Sequence, residues 1–226
     1  CAVVRSDKTT LVIDTGPDFR AQMTALGIRT IDAVLYTHAH SDHIMGIDEL
    51  RIVKLRSKKL VNIYANEATI GELRRRFEYL FNDHPDIDLY PCVLNPDIID
   101  PSAYGKPMTI GDITFTPYNQ DHGDMDCLGY RFGNLAYSPD MLHIDDAAIE
   151  TIRGVDIWIA DGAGYHFEDH KTHAPLSRIY KLNERIKAKK IYVCGLSKFM
   201  DYKALCGELP PGFEPAYDGL RIEASL

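Results

Sequence analysis

One stretch decides the fold class: Val34-Leu35-Tyr36-Thr37-His38-Ala39-His40-Ser41-Asp42-His43. Here an apolar strand gives way to three histidines and one aspartate within six positions. Imidazole and carboxylate ligands suit zinc, manganese or iron better than magnesium or calcium. His38 and His40 are two residues apart, so on an extended segment both side chains reach one ion. Asp42 and His43 follow at a predicted turn, which can aim them at a second ion. A helical zinc motif would instead place its histidines four residues apart.

A polar loop with chance histidines is the alternative interpretation of this stretch. The chain has nine histidines in 226 residues, so such a dense cluster disfavours chance. We therefore predict a metal site that begins at this loop.

Length and composition limit the classes of protein to which the chain can belong. It is long enough for one large domain or two small ones. A net charge of −8 argues against a general nucleic-acid-coating protein, which needs a basic face. No apolar run approaches a membrane span and no signal peptide is visible. The odd number of cysteines, without a C-x-x-C pair, predicts free thiols and a cytoplasmic location. These cysteines are Cys1, Cys92, Cys127, Cys194 and Cys206.

Strands and helices alternate along the chain. The predicted strands cover residues 10–14, 33–36, 61–65, 108–118 as a hairpin, 128–131, 135–137, 155–160 and 191–194. The first predicted helix begins at Asp18, a candidate N-cap. The other predicted helices cover 44–50, 51–59, 67–81, 145–152 and 176–188. Asp14 ends the first of these strands, beside the histidine-rich loop. It is a candidate acceptor from a ligand imidazole, and a simple turn-capping role is the alternative.

The segment Thr37-His38-Ala39-His40-Ser41-Asp42-His43 resembles the H-x-H-x-D-H signature of the metallo-β-lactamase superfamily. Within it, the chain is similar to the PhnP-like phosphodiesterases that open phosphoribosyl cyclic phosphate. The resemblance extends from Leu11 to Ile222 and implies an α/β fold, an αββα sandwich of two mixed β-sheets flanked by helices. It implies a single domain over 1–226. Because the chain begins with Cys1 and not Met, we expect an N-terminal strand of that domain to be missing.

The resemblance also implies a ligand set for two divalent transition-metal ions, zinc or manganese. His122 lies between a predicted strand and Gly123, as the third histidine of the superfamily's first site does. Asp140 closes Tyr137-Ser138-Pro139-Asp140, which matches the Y-S-x-D whose aspartate bridges the ions. The implied first site is His38, His40 and His122, and the implied second site is Asp42, His43 and Asp140.

The segment His170-Lys171-Thr172-His173 matches the H-x-T/S-H of the phosphodiesterase-like members. A histidine here can protonate a leaving oxygen, because its ordinary pKa is about 6.5. We assign this catalytic role to His173, with both histidines as candidate substrate contacts. Exposed imidazoles in a helix-capping loop are the alternative.

Three other features have both a functional and a plain interpretation. Arg20 is a candidate substrate contact that faces the cleft, or an ordinary surface arginine. The basic run 51–59 is a solvated helix face, or a rim that attracts phosphate. His84, in a loop rich in Pro, Asp and Asn, is a weak candidate for a lid.

The chain departs from the superfamily pattern at Gly195. The last core strand there usually ends in Thr-His, and that histidine completes the second metal site. Gly195 has no side chain to bind a metal, so the second site is expected to be weak. Cys194 is adjacent but should point the other way from a strand, and Lys198 could place a positive charge near the gap.

The sequence therefore predicts a metal-dependent hydrolase of a small phosphodiester, a cyclic phosphate or a nucleotide, that uses a metal-activated hydroxide. Asp42 and His173 are its predicted catalytic residues. One alternative is a degenerate member that binds a nucleotide or metal with little turnover. Another is a tRNA 3′-processing nuclease, which would need a protruding arm to grip tRNA. The expected partner is a small phosphorylated substrate or nucleotide, with no membrane and no extended nucleic acid, and a homodimer is left open.

Overall fold

The computed structural model describes residues 1–83 and 91–225. The chain divides into two compact units. The first comprises Cys1–Ser102 and Thr109–Ile113, and the second comprises Ala103–Met108 and Thr114–Leu226. The lid candidate His84 lies outside the described residues. Within those residues, no helix combines the length and the apolar character needed to span a bilayer.

The first unit contains a five-stranded mixed sheet in the order β1-β2-β3-β4-β5. Its strands are β1 (Ala2–Arg5), β2 (Thr10–Ile13), β3 (Ala33–Leu35), β4 (Val61–Ala65) and β5 (Leu94–Ile98). β1 is antiparallel to β2, and the following strands are parallel. Its helices are α1 (Phe19–Ala25), α2 (Ser41–Ile44), α3 (Leu50–Ser57) and α4 (Glu67–Arg76). β2 and β3 are almost entirely apolar and buried, as parallel strands covered on both faces are.

A seven-stranded mixed sheet follows, in the order β12-β11-β10-β9-β8-β7-β6. Its strands are β6 (Met108–Ile110), β7 (Ile113–Asp121), β8 (Asp126–Phe132), β9 (Leu135–Ser138), β10 (Ile157–Asp161), β11 (Lys190–Cys194) and β12 (Phe213–Pro215). β7, β8 and β9 are antiparallel neighbours, and β9 to β12 run parallel. The second unit also contains α5 (Asp146–Ile152), α6 (Leu176–Ile186) and α7 (Tyr202–Glu208).

Apolar residues at helical spacing bury one face of each longer helix. In the first unit, α4 buries Ile70 and Leu73, and the side chain of Asn66 caps it by accepting the Thr69 N–H. In the second unit, α6 buries Ile179 and Ile186. Burial of these apolar faces holds the helices in place within each unit.

Several positions of the candidate site lie where parallel strands end. In the first unit, Asp14 follows β2 and the metal loop, defined here as Thr37–His43, follows β3. In the second unit, Asp140 follows β9, Asp161 ends β10 and Gly195 follows β11. The carboxyl edge of parallel strands is the usual place for ligand sites in α/β sheets.

The predicted strands are confirmed, with shifts of a few residues, while three predicted elements differ. The helix predicted over 67–81 ends at Arg76, because Phe77 has a non-helical backbone, and a 3₁₀ turn follows at Glu78–Leu80. The helix predicted over 44–50 is interrupted at Gly46, where the N–H bonds to the Thr15 carbonyl. Residues 214–220 also resemble the superfamily's closing strand in sequence, and the strand there covers only Phe213–Pro215. β1 was not predicted.

Candidate metal centre

Asp14 organises the metal loop of the first unit. Its carboxylate accepts the Thr37 N–H at 2.8 Å, the Thr37 hydroxyl at 2.8 Å and His43 Nδ1 at 2.7 Å. The predicted bond from Asp14 to an imidazole of the loop is thereby confirmed. Asp14 adopts a left-handed backbone with φ of 60°, which is uncommon outside glycine but more accessible to aspartate. Three hydrogen bonds from one loop offset the strain of this conformation.

The same network assigns the protons on two of the histidine rings. Because the Thr37 hydroxyl donates to Asp14, its oxygen accepts from His38 Nδ1 at 3.0 Å. His43 Nδ1 donates to Asp14 directly. Both rings therefore carry their lone pair on Nε2. A metal-binding histidine uses this arrangement, with one ring nitrogen donating to a supporting acceptor and the other facing the ion.

Four side chains of the loop come together as the sequence predicts. His38 Nε2 lies 3.0 Å from His40 Nδ1, and the His38 and His43 ring centroids are 4.2 Å apart. His43 Nε2 lies 3.5 Å from Asp42 Oδ2. Two ligands that share a tetrahedral ion at ~2.1 Å are about 3.4 Å apart, so these spacings fit a divalent transition metal. Imidazole and carboxylate donors suit the same ions.

Close backbone packing fixes the far side of the metal loop. The Thr15 N–H donates to the His43 carbonyl at 2.8 Å. A Cβ on Gly16 would lie 2.4 Å from the Asp42 carbonyl oxygen, closer than real Cβ atoms approach. Residue 16 must therefore be glycine if the loop is to keep this position.

In the second unit, His122 repeats the arrangement of the loop histidines. His122 Nδ1 donates to the Thr172 carbonyl at 2.7 Å, which places the lone pair on Nε2. That atom lies 3.6 Å from Asp140 Oδ2. The His122 side chain is 1% exposed and that of Asp140 16%. The structure thus pairs His122 with Asp140 at a spacing that fits two ligands of one ion.

Asp161 and His173 form a buried carboxylate–imidazole pair. Asp161 Oδ2 accepts His173 Nδ1 at 2.7 Å and the Met141 N–H at 3.0 Å, and Oδ1 accepts the Ala163 N–H at 2.9 Å. Burial raises the pKa of the Asp161 carboxyl, and the bond to His173 opposes that rise. The His173 and His122 ring centroids are 4.9 Å apart. Asp161 thus orients an imidazole beside a candidate metal ligand.

His170 lies nearby but is bonded differently. Its Nδ1 accepts the His173 backbone N–H at 3.1 Å, so the ring closes the local turn as the helix-capping interpretation expects. The two ring centroids are 5.1 Å apart. A substrate contact by His170 stays a prediction.

Arg20 lies on α1 with its side chain 78% exposed, 3.9 Å from a Glu49 carboxylate oxygen. It lines a groove of about 360 Å³ together with Arg29 and Arg56 of the first unit. Its substrate role stays a prediction. Most of the basic run 51–59 lies on α3, where Arg51 pairs with Asp48 at 3.2 Å.

At Gly195 the backbone conformation disfavours a histidine, or any other residue with a side chain. Its φ is +66°, and a Cβ would lie 2.8 Å from Asp161 Oδ1. Burial and the charges of Asp161 and Asp140 raise the pKa of the thiol of the adjacent Cys194 and so favour its protonated form. Metals bind the thiolate and not the thiol.

Sequence reasoning missed one contact to the metal loop. Arg76 Nη1 donates to the carbonyl oxygen of Ala39 at 2.8 Å, between the two predicted histidine ligands. In the sequence, Arg74, Arg75 and Arg76 are three equivalent arginines near a helix end. No local signal marks the third.

Comparison with known proteins places these features in a family. Residues 9–194 match the Beta-lactamase superfamily domain. A solved structure described as a new diphosphatase from the PhnP family is 32% identical, with a TM-score of 0.86, over 99% of this chain and 83% of that one.

Two curated relatives are longer than this chain. An octanoyltransferase of Porphyromonas gingivalis is 30% identical over 214 residues, which are 93% of this chain and 41% of that protein. A ribonuclease Z of Bradyrhizobium is 27% identical over 135 residues, which are 58% of this chain and 42% of that protein. The chain thus spans about two fifths of the length of these two relatives.

The predicted fold class and resemblance are both confirmed. Two mixed β-sheets flanked by helices are the fold of the PhnP-family neighbour, and the family match covers most of the chain. The chain therefore belongs to the metallo-β-lactamase superfamily.

Proposed function

We propose that this protein is a metal-dependent hydrolase of a small phosphodiester. The observation that carries the proposal is the bonding of its histidines: His43 and His122 each donate Nδ1 to a supporting acceptor and have a carboxylate oxygen about 3.5 Å from Nε2. Metal-bound imidazoles typically donate their other ring nitrogen to an acceptor in this way. The names of a neighbour and a relative, a diphosphatase and a ribonuclease, denote hydrolysis at phosphorus and support the same chemistry.

We assign the ligands as the sequence predicts. The first ion would be held by His38, His40 and His122, and the second by Asp42, His43 and Asp140, with Asp140 shared. Zinc and manganese both suit these donors. When bound, such ions acidify a water molecule and neutralise charge on the phosphate oxygens.

His173 would donate a proton to the leaving oxygen. Asp161 holds His173 by Nδ1, so Nε2 carries the transferable proton when the ring is protonated. A buried carboxylate beside an imidazole also favours the imidazolium form that this role needs. Asp161 keeps the ring in one orientation between turnovers.

A small substrate fits the charge of the chain. The net charge of −8 gives no general basis for gripping an extended nucleic acid. A cyclic phosphate or a nucleotide places one phosphodiester at the ions without needing a basic face. We infer a cytoplasmic location from the free cysteines, Cys127 among them.

A second candidate function follows from Gly195. Without the superfamily's last histidine, the protein could bind a nucleotide or a metal with little turnover. Metal-dependent turnover by purified protein separates the two candidates, because only the hydrolase shows it.

Asp42→Ala tests the proposed chemistry. The side chain is 75% exposed, so its removal should not affect folding, and we expect it to abolish hydrolysis of bis(p-nitrophenyl) phosphate. Asp18→Ala is the matched control, because Asp18 is an exposed aspartate whose side chain makes no helix-cap bond. Circular dichroism checks the fold of both variants. Equal turnover by Asp42→Ala and wild type would remove Asp42 from the mechanism.

A further inference from the structure

Arg76 connects the end of α4 to the metal loop. Its Nη1 donates to the carbonyl oxygen of Ala39 at 2.8 Å, and its side chain is about one-third exposed. Ala39 is buried between His38 and His40. We propose that Arg76 is a positioning residue that sets the metal affinity of this loop. The inference rests on the proposed function, in which His38 and His40 are ligands.

The loop backbone is thereby held at two points on either side of His38. Asp14 accepts the N–H of Thr37 at 2.8 Å, and Arg76 donates to the carbonyl of Ala39. The first support comes from the residue after β2 and the second from the last residue of α4. The two bonds hold the peptide groups that join Tyr36 to Thr37 and Ala39 to His40, so the short segment that carries His38 is fixed at both ends. The carbonyl of Ala39 belongs to the peptide that leads into His40, so the same bond orients both rings.

Glu72 holds the arginine in place. Arg76 Nε and Nη2 both lie 3.0 Å from Glu72 Oε2, which leaves Nη1 directed at Ala39. Arg75 binds the same carboxylate, with Nη2 at 2.7 Å from Oε2. The two arginines therefore pair with the same carboxylate from the same helix turn. Among the described residues, only Arg76 of the two donates a hydrogen bond to Ala39.

The plain interpretation of Arg76 is a surface arginine that complements the helix dipole and pairs with Glu72. That interpretation applies equally to Arg75, so the two arginines should then behave alike. A purely electrostatic effect has the opposite sign from the one proposed. A guanidinium near a cation site disfavours the cation, so its loss alone would tighten metal binding. Only a positioning role predicts weaker binding after Arg76 is removed.

The test is a zinc titration of the purified chain against a chromophoric chelator at one pH and salt concentration. Changes in residues that support metal ligands cost roughly 10–100-fold in affinity, so we expect Arg76→Ala to raise the zinc Kd about tenfold or more. Arg75→Ala should stay close to wild type. Glu72→Gln keeps the arginine but loosens it, and should raise the Kd less than Arg76→Ala does. Arg76→Lys can keep one donor and should recover part of the loss.

A second readout separates positioning from a general loss of stability. Cobalt(II) absorption reports ligand geometry, and we expect a changed visible spectrum for Arg76→Ala and an unchanged one for Arg75→Ala. If Arg76→Ala and Arg75→Ala have equal zinc Kd values and spectra, the inference is wrong. If wild-type protein binds neither metal, the proposed metal site fails, whatever the variants do.

Discussion

The Nδ1 atoms of His170 and His173 have different partners, although both residues belong to one short motif. The Nδ1 of His173 donates to the buried Asp161 carboxylate, while that of His170 accepts a backbone N–H from the same loop. A ring held by a carboxylate can carry a proton and release it at Nε2. A ring that accepts a backbone N–H through its lone pair must first lose that bond before it takes a second proton.

Replacing His173 with Gln tests its role as a proton donor. A leaving group with a low pKa, such as p-nitrophenolate, departs with little help, whereas an alkoxide needs a proton. We expect His173→Gln to slow hydrolysis of an alkyl phosphodiester by about 100-fold or more, the typical contribution of general acid catalysis, and to slow the nitrophenyl diester much less. Steady-state kcat values for the two substrates provide the measurement. His170→Gln is the matched control and should slow both substrates equally, if at all.

At the scale of elements, several of the candidate site positions follow parallel strands in each unit. β3 leads into the metal loop, β10 ends at Asp161 and β11 ends one residue before Gly195. The register of β10 and β11 pairs Asp161 with Cys194, which explains why Gly195 lies against the Asp161 carboxylate. Gly195, which stands where the superfamily usually has a histidine, is thus a position where the left-handed backbone and the nearby Asp161 carboxylate both favour glycine.

Substitution at Gly195 should therefore destabilise the protein. A left-handed residue with a side chain costs about 1–2 kcal/mol, and contact with Asp161 adds to that cost. Gly27→Ala is the control, because Gly27 has the same φ of +66° and nothing within 4 Å of a Cβ. We expect Gly195→Ala to lower the free energy of unfolding in urea by more than Gly27→Ala does.

The variant Gly195→His bears on the metal site directly. The family's sequence register alone predicts that it raises occupancy of the second site, and the geometry predicts that it does not. Elemental analysis after identical dialysis distinguishes these outcomes. Higher metal content in Gly195→His would show that the backbone there relaxes to admit a ligand.

At the scale of the whole molecule, each compact unit carries part of the proposed ligand set. The first unit has His38, His40, Asp42 and His43, and the second has His122 and Asp140. Each unit fixes its own side chains by hydrogen bonds within that unit. Because the binding of an ion adds to the free energy of folding, we expect the stability of the protein to depend on its metal content.

Metal removal should accordingly lower the melting temperature. A ligand at 100 times its Kd stabilises a protein by about 2.7 kcal/mol, which is roughly 5–10 °C in Tm for a chain of this size. We expect chelation with EDTA to lower the Tm by that order and added zinc to restore it, as followed by differential scanning calorimetry. Elemental analysis should find the first site filled and the second partly filled. An unchanged Tm would argue against tightly bound metal, and two tightly held ions would show that Gly195 does not weaken the second site.

The sequence by itself determined the features that depend on local spacing. His38 and His40 are two residues apart after a strand, and extended geometry alone brings their rings to one side. Alternation of apolar strands and helices fits an α/β fold, because each element buries an apolar face of recognisable period. The αββα sandwich itself was implied by the resemblance to the superfamily. His122 and Asp140 were predicted as ligands only through their match to the family's sequence pattern.

Apart from Asp14, whose bond to a loop imidazole the sequence predicted, only the tertiary structure decided which residues support these side chains. The bond from Arg76 to Ala39 joins positions 37 residues apart, and that from Asp161 to His173 joins positions 12 apart. Such contacts depend on how a helix end or strand end meets a loop. Three adjacent arginines, or two histidines in one motif, are equivalent in sequence. They become different when the backbone directs one side chain to a carbonyl or a carboxylate and its neighbours elsewhere, because hydrogen bonds require a particular distance and direction.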